Sequence, residues 1–178
     1  MKKSRYFAEL SHTYSSEIDD LLSDSEGKTV LDRRLKEKRS VFAQLLPMIE
    51  YSPEMVAVVF FDAFTFTDPV LLAQAVTSEP GRPGFPAWSK LAKTLKIAPW
   101  AVPLIEATRR EPIGDDFLVT TVGLEFLRQR DAADGSAERV SDEEKYGAAD
   151  EEGDDEALDL GEAGNDWMAG QGFDSLDH

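Results

Sequence analysis

The stretch Trp88-Ser89-Lys90-Leu91-Ala92-Lys93-Thr94-Leu95-Lys96-Ile97-Ala98-Pro99-Trp100-Ala101-Val102-Pro103-Leu104-Ile105 decides how this chain is read. Leu91, Ala92 and Leu95 recur at helical spacing and stop at Lys96. Ile97-Ala98-Pro99 reads as a turn, and Trp100, Val102, Leu104 and Ile105 as the apolar side of a second short helix. The small Ala92 lets the two helices approach closely, Ile97 plugs the turn, and Val102 and Ile105 pin the second helix to a core. Downstream, Phe117-Leu118-Val119-Thr120-Thr121-Val122-Gly123-Leu124-Glu125-Phe126-Leu127 reads as a strand running into a helix capped by Thr120.

In this order, residues 68–128 resemble a winged helix-turn-helix domain. The resemblance makes Asp68–Ser78 the first helix, Trp88–Lys96 the second and Pro99–Arg110 the recognition helix. A wing follows over Glu111–Val119, then a last helix over Thr120–Arg130. The resemblance implies DNA binding. Pro99, Trp100, Pro103 and Ala107 would face the groove, and none is an Arg, Lys, Asn or Gln of the kind that reads base edges. Lys90, Lys93, Lys96, Arg109 and Arg110 suit phosphates, with Trp100 among them.

Upstream of this domain, Tyr6, Phe7, Leu10, Tyr14, Ile18, Leu21 and Leu22 form an apolar stripe on a helix of Ser4 to Ser23. Thr29 with Asp32 reads as a capping box opening a second helix, whose stripe is Leu31, Leu35, Phe42, Leu45, Leu46 and Ile49. Pro47 should bend or end it. The short connection makes the two helices antiparallel neighbours, a pair available for self-association into a homo-oligomer. Ser52-Pro53 starts a core helix over the apolar run Met55 to Phe64, for which a buried strand is the alternative. Asp68-Pro69 opens another helix, and Glu79 to Pro86 is a turn-rich loop.

Charge divides the chain further. The net charge is −16, yet residues 131–178 carry 17 acidic and 2 basic side chains, leaving residues 1–130 nearly neutral. From Asp131 to Ala157 the only large nonpolar or aromatic residues are Val140 and Tyr146, too few to offset the entropy of ordering, so a disordered acidic tail is expected. Trp167, Met168, Phe173 and Leu176 interrupt its end as anchors for a protein partner. Residues 80–110 hold six cations against Glu106, while residues 40–79 hold five carboxylates and no base. The tail is therefore expected to compete with nucleic acid for the basic segment. Lys28, Arg33, Arg34, Lys36, Lys38 and Arg39 form a second basic cluster, read most plainly as a solvated helix face.

Several chemistries fall away. There is no cysteine, and the two histidines, His12 and His178, lie near the chain ends. No phosphate-loop motif occurs, and the acidic run Asp150–Glu156 lacks the spacing of an EF-hand. No apolar run of membrane-spanning length and no secretory leader is seen, so a cytoplasmic protein is expected. The expected fold is mainly α: an N-terminal helical pair (1–52), a winged-helix-like domain with a minor strand (53–130) and an acidic disordered tail (131–178). The expected function is that of a non-enzymatic DNA-associated regulator with no cofactor and no metal. The alternative is a protein-interaction adaptor using a degenerate winged helix and the tail.

Overall fold

The structure, a computed structural model, describes the backbone of residues 2–23 and 28–146 and the side chains of 2–23 and 29–135. It is mainly helical, with one two-stranded sheet. Helix α1 (Arg5–Ser23) starts where the Ser4 hydroxyl accepts the Phe7 N–H at 3.2 Å. Its expected stripe is spent inside the chain: Phe7, Tyr14, Ile18 and Leu21 are buried, and only Leu22 turns outward. Helix α2 (Lys28–Ser40) encloses Thr29, so the expected capping box lies within the helix and not at its start. The second stripe then continues through α3 (Phe42–Leu45) into a 3₁₀ segment, Leu46–Glu50, which carries Pro47 near its start.

Pro53 opens α4 (Pro53–Ala57) as expected, but the apolar run does not stay helical to Phe64. A 3₁₀ turn, Val58–Phe60, follows, then a corner at Asp62, whose φ of 58° is left-handed, and β1 (Phe64–Phe66) begins. Asp68 then accepts the N–H groups of Val70 and Leu71, both at 3.1 Å, to cap α5 (Pro69–Ala75). After a loop with left-handed Gly81 and Gly84 come α6 (Trp88–Leu91), a 3₁₀ turn (Ala92–Thr94) and β2 (Leu95–Ile97). β2 pairs antiparallel with β1, Phe64 opposite Ile97 and Phe66 opposite Leu95. The stretch expected to end a helix and make a turn is therefore a strand. Period-2 alternation explains it: Leu95 and Ile97 are half-buried, while Lys96 and its partner Thr65 are exposed.

The largest departure lies further on. After a 3₁₀ turn (Pro99–Ala101) and α7 (Val102–Thr108), one helix, α8, runs from Gly114 to Tyr146. The expected wing strand over Glu111–Val119 is absent, because residues 114–119 are the first turns of α8. Thr120 is no cap. It lies inside the helix, 1% exposed, with its hydroxyl 3.1 Å from that of Tyr6. The expected boundary at residue 131 also falls within this helix.

Every residue from Phe117 to Leu127 is buried, so α8 is a central element apolar on nearly all sides. The Phe117 ring packs on Phe60, and the Phe126 ring on Phe66. α1 crosses α8 at Gly123, where an added Cβ would lie 2.5 Å from the Phe7 ring. Residues expected to form two separate domains, such as Phe7, Leu35, Phe60, Leu91 and Leu124, thus share one core, and residues 1–139 form one compact unit.

Glu125 is the one buried carboxylate among the described residues, at 0% exposure. It accepts a short hydrogen bond from the Tyr14 hydroxyl, the Asp62 N–H at 3.2 Å, and Arg128 at 2.9 and 3.2 Å. Arg128 also reaches Asp62 at 2.6 Å and lies 4.2 Å from the centre of the Phe61 ring. Helix α8 is thereby tied to α1 and to the left-handed corner that turns the chain into β1.

Candidate functional site

The cations expected to contact nucleic acid lie on consecutive elements. Lys90 is on α6, Lys93 on the following 3₁₀ turn and Lys96 on the outer face of β2, and all three are exposed. Trp100 follows in the 3₁₀ turn before α7 and is 40% exposed, beside Val102 at 42%. Arg109 and Arg110 leave the far end of α7. A seven-residue helix is about 10 Å long, so these arginines form a second group, separated from Trp100 by the length of α7.

The two arginines differ. Arg109 gives its Nε to Asp115 at 2.8 Å, so part of its charge is already met. Arg110 makes no ion pair among the described residues, and neither do Lys90, Lys93 and Lys96. Many cations elsewhere do have a carboxylate: Lys3 with Asp131, Lys38 with Glu17, Arg82 with Glu79 and Arg130 with Asp134. The segment from Lys90 to Lys96 is therefore positive and solvated, and the partly exposed Trp100 follows it in the chain.

One neighbour of Trp100 was not expected. Arg39, at the end of α2, lies 3.7 Å from the centre of the Trp100 ring. Its guanidinium is fixed by the carbonyls of Val59 at 2.9 Å and Phe61 at 3.1 Å, and burial lowers its pKa. One face of the Trp100 ring thus meets a cation already anchored in the body. Nothing local distinguishes Arg39 from its neighbours in the basic cluster, since the contact spans 61 positions of sequence. The rest of that cluster is partly engaged as well, Lys38 with Glu17 and Arg34 with the Asp20 carbonyl.

Of the four positions expected to face a groove, Pro99, Trp100 and Pro103 are exposed and Ala107 is half-buried. The anchors Trp167, Met168, Phe173 and Leu176 lie outside the described residues, as does the acidic run at 150–156. Among the described residues, no three His, Asp or Glu side chains converge as a metal site, and no helix is long and apolar enough to cross a membrane. No protein-family model matches the chain, and no curated protein or solved structure is similar to it.

Proposed function

We propose that this chain is a non-enzymatic, nucleic-acid-associated protein that holds phosphates through Lys90, Lys93, Lys96 and Arg110. The acidic tail competes for the same surface. The observation that supports this reading most is that these four exposed cations have no carboxylate partner among the described residues, and the partly exposed ring of Trp100, on which a base can stack, follows Lys96 closely in the chain. With no wing strand over Glu111–Val119 and no Arg, Lys, Asn or Gln on α7, binding is to the backbone and indifferent to sequence.

Fluorescence anisotropy of a labelled oligonucleotide tests it. Log affinity should fall linearly with log salt, with a slope of about −0.9 for each duplex phosphate neutralised. Changing Lys90, Lys93, Lys96 and Arg110 together to Ala should abolish binding to every sequence tested. Ending the chain after Arg139, at the edge of the compact unit, should tighten binding at low salt, and the gain should shrink as salt rises. If neither the full chain nor the shortened one binds at low salt, the reading fails.

A second reading, a protein-interaction adaptor, is favoured by one specific observation: the adjacent exposure of Trp100 and Val102 on a face without base-reading groups. In that case Trp100→Ala with Val102→Ser reduces capture of a protein partner, while the lysine changes matter less.

A further inference from the structure

On another part of the compact unit an apolar cleft of about 400 Å³ opens between α1, the 3₁₀ segment 46–50 and the start of α8. Its walls include Tyr6, Ile49, Ile113 and Phe117. Tyr51, 82% exposed, stands at its lip, and Ile113 is 37% exposed. The charged groups of the lining are of one sign. Glu50, Glu54 and Asp116 line the cleft, and no Lys, Arg or His does.

None of the three carboxylates has an ion-pair partner among the described residues. Glu54 and Asp116 sit in the first turns of α4 and α8, where a negative charge also suits the helix end. Glu50 has no such use, since it closes its 3₁₀ segment. The carboxylates act within the cleft, too. Burial and the charges of Asp116, Glu54 and Glu79 raise the pKa of the Tyr6 hydroxyl, although its hydrogen bond with Thr120 opposes them.

An apolar hollow of this size with charged groups of one sign in its lining is what a small ligand needs. The charge chooses the ligand. Phosphates and acidic peptides are repelled by three unpaired carboxylates, which removes both nucleic acid and the chain's own acidic tail as occupants. A cation without an apolar body would leave the walls wet, and an apolar body without a cation would leave the carboxylates unanswered. We propose that this cleft binds a small organic ammonium carrying an aromatic or aliphatic body. The ammonium sits among Glu50, Glu54 and Asp116, the body packs on Ile49, Ile113 and Phe117, and Tyr6 and Tyr51 offer ring faces to the charge.

Three probes of similar shape separate charge from shape: phenethylamine, phenethyl alcohol and 3-phenylpropionate. Each is titrated into the isotope-labelled full chain, and amide shifts are followed by NMR. Phenethylamine should shift the amides of Tyr51, Ile113 and Phe117 saturably. The alcohol should bind at least about tenfold more weakly, the loss expected when a charged group goes unpaired, and the carboxylate should not bind. The variant Glu50→Gln/Glu54→Gln/Asp116→Asn should lose at least about tenfold in phenethylamine affinity while its melting temperature falls only by the little that two helix-end charges contribute. It removes only 3 of 35 acidic residues, so general attraction to an acidic protein is left almost intact. If the triple variant does not fold, Glu50→Gln alone should give a smaller loss in the same direction. The proposal is overturned if amine and alcohol bind equally, if the variants bind the amine as well as the parent, or if the shifts fall only in residues 147–178.

Discussion

Replacing Glu125 with Ala is expected to lower the stability of the fold by about 3–5 kcal/mol, the usual cost of removing one partner from a buried ion pair. The change strips the Tyr14 hydroxyl and the Asp62 N–H of their acceptor and leaves Arg128 with only Asp62. Arg128 keeps 21% of its side chain exposed and can turn to water, which favours the lower end of that range. Urea unfolding of the variant checks the figure, and a loss below about 1 kcal/mol would mean that the buried cluster contributes little. Tyr14 adds a pH signature. Burial and the neighbouring Glu125 carboxylate hold its hydroxyl well above the ordinary tyrosine range. In the unfolded chain it ionises near pH 10. The folded form thus keeps a proton that the unfolded form has lost, and stability falls as pH rises above about 10. The fall from this group is at most about 1.4 kcal/mol per pH unit. In Tyr14→Phe that part of the alkaline slope should vanish, with stability below pH 9 otherwise set by the lost hydrogen bond to a carboxylate, about 1.5–3 kcal/mol.

Gly114→Ala should be nearly as damaging, at about 3 kcal/mol. A Cβ there would lie 1.9 Å from the Thr108 carbonyl oxygen and 2.7 Å from its carbon. Those are backbone atoms at the end of α7, and Thr108 is fully buried, so no side chain can swing aside. Gly135, also within α8, has nothing within 4 Å of the same added atom. There alanine should gain up to about 1 kcal/mol from helix propensity. The two substitutions, made in one helix, should shift the thermal midpoint in opposite directions. If both shift it alike, the turn from α7 into α8 yields readily and the close approach has no energetic weight.

These contacts also show which parts of the fold the sequence made legible. Helix α1, the Ser52-Pro53 start and the Asp68 cap were readable because each depends on residues within one or two turns. The start of α8 was misread, residues 117–119 as strand and Thr120 as a cap, because Val119-Thr120-Thr121-Val122 has strand-like composition and a helix buried on all sides loses its 3.6-residue pattern. Length was the available signal, since eleven consecutive buried positions suit a helix better than a strand. β2 was missed for a related reason: three residues carry too little alternation to be seen without their partner at Phe64–Phe66. At the candidate sites, the exposed lysines and Trp100 were legible from charge and type alone. Arg39 over Trp100, Glu125 beneath Tyr14 and the cleft beside Glu50 were not, because each is assembled from residues far apart in the chain.

That distance bears on how the protein comes to be made. Tyr14 and Glu125 are 111 positions apart, and Lys3 pairs with Asp131 across 128. The first helix leaves the ribosome with Phe7 and Tyr14 facing a partner that has not yet been synthesised. At roughly 5–20 residues per second, that partner arrives on the order of ten seconds later. Until then the nascent chain shows water an apolar face that chaperones can hold and that neighbouring chains can stick to. A message broken before the codon for Gly114 would yield a product lacking the central helix and unable to complete its core. The N-terminal elements can pack on one another early, since α1 also meets α2 and α4, but the core is completed only when α8 has been translated.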